Sequence, residues 1–281
     1  MNFGLILLVL LAALLHATWN ALAKKSTEPL FGIGSFRLFC ALAAACFIPF
    51  VGLPAPESWG LLVLSVLIHS AYYFTAAASL KAADLSQIYP IYRGMSPLLI
   101  ALLAAYFTGE WLKPQQWFAV LLISLALLSL AWQRNLAGRV TPQALAWGLT
   151  TSLLIACYTV VDGVGVRIVG EPLSYIVWLF ALEALPICFY LLLRKRDGFG
   201  TYVRDNLVMC IAGGLASAVA YGLVIFAMSL GTIALVSSLR ETSVLFAALI
   251  GTLFLKEQFG RRRIFAACMV VIGAVLIRLS N

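Results

Sequence analysis

The sequence predicts an all-α integral membrane protein whose ten transmembrane helices form two inverted five-helix repeats. Three observations carry this expectation. Of 281 residues, 63% are hydrophobic and 11% charged, far from the composition of a globular domain. Apolar runs long enough to cross a bilayer, which takes roughly 20 helical residues, follow one another with only short polar connections. The chain also repeats itself. Arg93/Arg240, Ser96/Ser243, Leu98/Leu245, Ala101/Ala248, Leu102/Leu249, Phe107/Phe254, Glu110/Glu257, Phe118/Phe265 and Ala119/Ala266 align at a single offset, 240 − 93 = 147 residues.

Taken in order, glycines, prolines and charges divide the chain into ten apolar segments: 3–23, 30–52, 58–80, 86–108, 114–133, 143–165, 172–193, 206–230, 232–255 and 261–279. Residues 1–23 end on a cleavage-like Ala21-Leu22-Ala23. Their start carries no Lys or Arg, however, and they hold His16, Trp19 and Asn20, so they read as a retained first helix. Two repeats follow, 1–133 and 143–281. Each contains an odd number of spans, so the second enters the membrane from the opposite side, the arrangement secondary transporters use for alternating access. The stretch from Arg194 through Asp205 reads as the longest polar connection. Gly214, Ala218 and Gly222 at four-residue spacing mark a close helix–helix approach.

The net charge of +8 does not point to nucleic acid, because the basic residues sit in short connections between apolar segments. Lys24, Lys25, Lys81, Arg134, Arg139, Arg194, Lys195, Arg196, Arg204, Lys256, Arg261, Arg262 and Arg263 fall on one face, and Lys113, Arg167 and Arg278 on the other. That asymmetry places both termini outside the cytoplasm. Cys40, Cys46, Cys157, Cys188, Cys210 and Cys268 lie in apolar segments without C-x-x-C spacing and read as small hydrophobes, neither disulfides nor metal ligands. No cofactor motif is present.

Three arginines, Arg37, Arg93 and Arg240, fall inside the apolar segments, where a charge is costly unless it meets a partner or a wet cavity. Arg93 and Arg240 occupy equivalent repeat positions, about two turns in from the starts of their segments and so from opposite sides of the membrane, and read as flanking a cavity near the midplane. Arg37 has no repeat counterpart and reads as snorkelling or internally paired. Around Arg93, Pro90 and Pro97 each remove an amide donor and permit a kink. Tyr89 and Tyr92 flank Arg93 on the same segment. His16, Trp19 and Asn20 share one helix face, as do His69, Tyr72 and Tyr73. Tyr158 and Asp162 lie four apart, with Asp162 read as a cap or surface contact, and Tyr221 falls within the eighth segment. The deepest acid, Glu183, reads either as a proton carrier or as the permanent partner of Arg37 or Arg240.

The ten-segment pattern, the run His16-Ala17-Thr18-Trp19-Asn20-Ala21-Leu22-Ala23-Lys24-Lys25 and the Ser96-Pro97…Glu110 and Ser243…Glu257 endings resemble the EamA-like family of the drug/metabolite transporter superfamily, over nearly the whole chain. The chain also looks like a branch associated with phosphonate utilisation. The resemblance implies secondary transport, often export, of small metabolites such as amino acids. The chain itself reads as a carrier of the inner (plasma) membrane, a monomer or homodimer. It departs from the family pattern at Val244, where the first repeat has Pro97, and in orientation, because the family is described with both termini in the cytoplasm. The substrate expected from the residues is a small anionic or zwitterionic organic metabolite. Arg93 and Arg240 would hold its anionic group, His69, Tyr73, Tyr92, Tyr158 and Tyr221 would form the walls, and Glu183 would couple transport to protons. A passive channel is the alternative. A membrane-embedded lipid-modifying enzyme fits less well, since neither H-E-x-x-H nor an obvious triad is present.

Overall fold

The computed structural model describes residues 3–23, 28–83, 85–131, 140–247, 249 and 261–280, and among these every regular element is helical. The helices are α1 (Phe3–Ala23), α2 (Pro29–Phe47), α3 (Trp59–Ala82), α4 (Leu85–Thr108), α5 (Pro114–Ala131), α6 (Pro142–Ile168), α7 (Pro172–Arg194), α8 (Arg196–Asp205), α9 (Leu207–Leu230), α10 (Ile233–Arg240) and α11 (Arg261–Leu279). Short 3-10 turns at Ile48–Phe50 and Pro56–Ser58 link α2 to α3. Proline opens α2, α5, α6 and α7. It suits a first turn because its missing N–H has no intrahelical acceptor there and its φ is already helical. Thr141 caps α6, its Oγ1 accepting from the Ala144 amide at 3.1 Å.

Eight of these helices are long and apolar enough to cross a membrane, and Ile264–Leu279 adds a shorter apolar stretch. Their side chains are sorted inside out relative to a water-soluble protein. Leu67, Phe107, Leu125, Phe189 and Val219 are exposed on the outside, whereas Ser65, Ser96, Ser152, Asp162, Glu183 and Glu241 are fully buried. Such an apolar exterior is matched to lipid, and buried polar groups then need partners within the bundle. The chain is a multi-pass membrane protein.

Two expectations need correction. The stretch from Arg194 to Asp205 is mostly helix α8, whose Phe199 is buried and meets the Phe31 ring at a tilt, as does Tyr202. Segment 232–255 is not one continuous helix, because α10 stops at Arg240, a turn covers Glu241 and Thr242, and helix resumes over 243–247. Residues 248 and 250–255 of that segment, Phe254 among them, lie outside the described residues, as do Lys256 and Glu257, Lys24, Lys25, Arg134 and Arg139.

Packing relates helices of the two halves in pairs. Helix α3 lies along α6 as α9 lies along α1, while α2 meets α9 as α7 meets α3. The pairs α2/α7 and α5/α11 pack directly on each other. On the α2–α9 seam a Cβ added at Gly214 would fall 2.9 Å from the Phe36 carbonyl oxygen, so only glycine lets the two backbones approach this closely. At one end of the bundle Lys81 pairs with Glu28 at 3.3 Å. At the other, Arg167 bonds Glu110, Lys113 Nζ donates to the Ser280 carbonyl, and Ser174 Oγ donates to the Gly52 carbonyl.

Candidate functional site

A cavity of about 80 Å3 opens among seven helices of this bundle. Helix α1 contributes His16 and Trp19, α2 contributes Ile33, Phe36 and Arg37, and α3 contributes His69, Tyr72 and Tyr73. Arg93 comes from α4, Tyr158 from α6, and Ser217 and Tyr221 from α9, with Arg240 reaching in from the end of α10. The volume suits a few waters or a small organic molecule. Aromatic rings form much of the wall. His69 stacks on Tyr158 with centroids 4.0 Å apart, and Tyr72, Tyr73 and Tyr221 contact these two rings edge-on or tilted. On α1, the Trp19 indole donates to His16 Nδ1 at 3.2 Å.

All three intramembrane arginines reach this cavity, and each faces an acid. Arg37 Nη1 donates to Glu183 Oε1 at 2.7 Å, and its Nη2 donates to the Ser217 hydroxyl, so the guanidinium joins α2, α7 and α9. Arg93 Nη2 lies 2.9 Å from Glu241 Oε2, while Arg240 Nη2 is 3.8 Å from Glu241 Oε1. The sequence had left Arg37 between snorkelling and an internal pair, and the structure shows the pair. It also supplies what sequence reasoning missed, the interposed acid Glu241. Arg93 and Arg240, separated by 147 residues in sequence, share that one carboxylate because the break after α10 turns Glu241 back towards α4. The guanidinium of Arg240 is nevertheless incompletely satisfied. Its Nε and Nη2 make no hydrogen bond although the residue is only 2% exposed, and Arg93 Nε is likewise unbonded. Arg93 Nη2 and both carboxylate oxygens of Glu241, although ion-paired, make no hydrogen bond either.

Arg93 is placed by a modified helix. Pro97 has no amide hydrogen to offer the Arg93 carbonyl one turn earlier. Next to that gap, the Tyr92 carbonyl accepts from the hydroxyls of Ser96, at 2.5 Å, and Ser152, at 3.1 Å, the latter on α6.

Asp162 is neither a cap nor a surface group. It is fully buried and accepts from three hydroxyls, those of Ser65 at 2.5 Å, Tyr175 at 3.1 Å and Tyr221 at 2.6 Å. It thereby ties α6 to α3, α7 and α9 behind the cavity wall. Of the residues expected at the site, Arg93, Arg240, His69, Tyr73, Tyr158 and Tyr221 line the cavity. Tyr92 is not among the lining residues and packs behind them with Ile88, Ile155 and Tyr158. Glu183 sits just beneath, reaching the cavity through Arg37 and through His69, whose Nε2 is 3.7 Å from Glu183 Oε2. Ser65 and Ser217 carried no sequence signal beyond their spacing of four from His69 and Tyr221. Among the described residues no group of three His, Cys, Asp or Glu side chains is arranged to hold a metal. Cys40, Cys188 and Cys210 are buried free thiols, and Cys46 and Cys268 face outward.

The model of the EamA-like transporter family matches the chain twice, over residues 3–132 and 143–279. The chain belongs to the EamA-like transporter family. A WAT1-related chloroplastic protein of Arabidopsis thaliana is 23% identical over 270 residues, which cover 91% of this chain; the chain spans 65% of the length of that relative. A protein of known crystal structure superposes with a TM-score of 0.80 at 18% identity, covering 99% of this chain and 98% of the other, a likeness of fold. The cavity of this EamA-like protein draws side chains from both matched stretches.

Proposed function

We propose that this EamA-like protein is a secondary transporter, an exporter or exchanger, whose central cavity binds a small anionic or zwitterionic organic metabolite such as an amino acid or organophosphonate. Residues 1–133 and 143–281 act as two five-helix repeats of opposite orientation. The reciprocal packing of α3 on α6 and α9 on α1 supports that reading, since exchanging the halves exchanges the two contacts. The observation that carries the substrate class is the buried, unfilled edge of Arg240 beside the unbonded Nε of Arg93. An incoming carboxylate or phosphonate offers the planar pair of acceptors that a guanidinium fork matches. The rings of Tyr158, Tyr221 and Tyr73 give the substrate an apolar enclosure, as small-molecule sites have. Coupling to protons is assigned to the Glu183 region, and the membrane is the cell's inner membrane with both termini outside the cytoplasm.

The test is a ligand screen on purified protein by thermal shift, using L-amino acids, methylphosphonate and nucleosides. Stabilisation by an anionic or zwitterionic member, weakened about tenfold or more by either Arg93→Lys or Arg240→Lys, is the expected result, because lysine keeps the charge and loses the fork. Unchanged ligand binding in both lysine variants contradicts the assignment.

A further inference from the structure

His69 sits between two buried acids, and the hydrogen-bond geometry fixes where its protons are. Its Nδ1 lies 3.0 Å from the Ser65 carbonyl oxygen, which only accepts, and 3.1 Å from the Ser65 hydroxyl. That hydroxyl has one hydrogen and directs it to Asp162. Both neighbours of Nδ1 are therefore acceptors, and Nδ1 must carry a hydrogen. The other ring nitrogen, Nε2, faces Glu183 Oε2 at 3.7 Å, and that oxygen is fully buried with no hydrogen bond. With Nδ1 protonated, a neutral imidazole turns a lone pair towards a carboxylate oxygen, a repulsive contact in a low-dielectric setting. One further proton removes the repulsion and leaves an imidazolium against a carboxylate.

We infer that the gap between His69 Nε2 and Glu183 Oε2 holds one exchangeable proton, that His69 carries it, and that it is the coupling ion of the transporter, an inference that rests on the transport reading above. The step is a proton association alone. The Nε2 lone pair forms the N–H bond, the ring gains one positive charge, and discharge returns the neutral ring with its hydrogen on Nδ1. Glu183 on α7 faces Nε2 and pairs with Arg37 of α2 at 2.7 Å. Asp162 on α6 is reached through Ser65. Tyr158 of α6 and Tyr221 of α9 contact the ring, as does Tyr73 of α3. Because His69 lines the cavity, its proton exchanges with cavity water. The added positive charge stands in the same cavity as Arg93 and Arg240 and favours an anion there. Proton and anionic substrate thus bind cooperatively.

The two histidines of the chain make the test internal. His16 accepts at Nδ1 from the Trp19 indole, which only donates, so its neutral form carries hydrogen on Nε2, the opposite tautomer from His69. Protein labelled with 15N-histidine in lipid nanodiscs is titrated between about pH 5 and 8, the span in which an imidazole ordinarily changes charge, with His69→Gln assigning the signals. The expected result is a His69 signal passing from imidazolium to the Nδ1–H tautomer while neutral His16 reports Nε2–H. Methylphosphonate or L-glutamate should move the His69 midpoint towards higher pH, with the reciprocal gain in probe affinity at low pH amounting to about fivefold or more. A His69 that stays neutral throughout, or that carries its neutral hydrogen on Nε2, overturns the proton site. If neither probe moves the midpoint although the titration is as expected, the proton site stands and the anion reading of the cavity fails.

Discussion

Breaking the Arg37–Glu183 pair should destabilise the fold far more than replacing it. The carboxylate is fully buried, the Arg37 side chain is 10% exposed, and the contact is 2.7 Å. Charge centres about 4 Å apart at an effective dielectric constant near 20 attract by about 4 kcal/mol, an attraction that offsets the desolvation of both groups. Glu183→Ala removes it and leaves a buried guanidinium with the Ser217 hydroxyl as its remaining partner, at an expected cost of about 3–5 kcal/mol. The double variant Arg37→Met/Glu183→Leu removes both charges and fills the space with apolar atoms, and should unfold within about 1 kcal/mol of the parent. Equilibrium unfolding in mixed micelles, followed by tryptophan fluorescence, gives the coupling energy from the four corners of the cycle. The double variant is nonetheless expected to be inactive in transport, which separates the pair's structural contribution from its place beside the proposed proton site. The reasoning is refuted if Glu183→Ala unfolds within about 0.5 kcal/mol of the parent, the range of ordinary surface changes. It is equally refuted if the double variant is at least as unstable as Glu183→Ala.

Three further outcomes follow from the same geometry. At Gly165 a Cβ would lie 2.5–2.6 Å from the ring and hydroxyl of Tyr175, so Gly165→Ala should cost about 1–3 kcal/mol in the same unfolding assay as Tyr175 is pushed off Asp162. Glu110 accepts from Arg167 and from the Ile233 amide at 2.9 Å at a partly exposed end of the bundle, so Glu110→Gln should leave global stability within about 1 kcal/mol while increasing proteolytic cleavage near the α9–α10 turn. A reporter fused after Asn281 should behave as non-cytoplasmic, because Lys113 holds the Ser280 carbonyl at the end of the bundle poor in basic residues; a cytoplasmic signal contradicts that orientation.

Apolar runs and their punctuation were enough to place α1 to α7, α9 and α11 within a few residues, because lipid demands long uninterrupted helices and little else competes with that signal. Helix α8 was missed since two glycines and four charged residues in Arg196–Asp205 outweigh the apolar side of Phe199 and Val203. The end of α10 was missed because the Glu241 turn is stabilised by Arg93, a residue from the other half of the chain. Tertiary partners account for the site errors as well. Asp162 looked like a helix-end group by position, yet its three hydroxyl donors arrive from three other helices. The repeat alignment did lead to Arg93 and Arg240, since a charge kept at equivalent positions inside apolar segments needs a shared reason. What that alignment could not carry was Glu241, whose repeat counterpart is Gly94.

The central claim is that the cavity is the substrate site of a carrier, and counterflow in proteoliposomes at equal pH on both sides tests it most directly. Labelled methylphosphonate or L-glutamate outside, with an excess of the same unlabelled compound inside, is expected to accumulate transiently in a saturable manner. Replacing Arg240 by alanine is expected to abolish that overshoot. Flux that rises linearly with concentration and ignores the inner compound, or an overshoot that survives Arg240→Ala unchanged, contradicts the account.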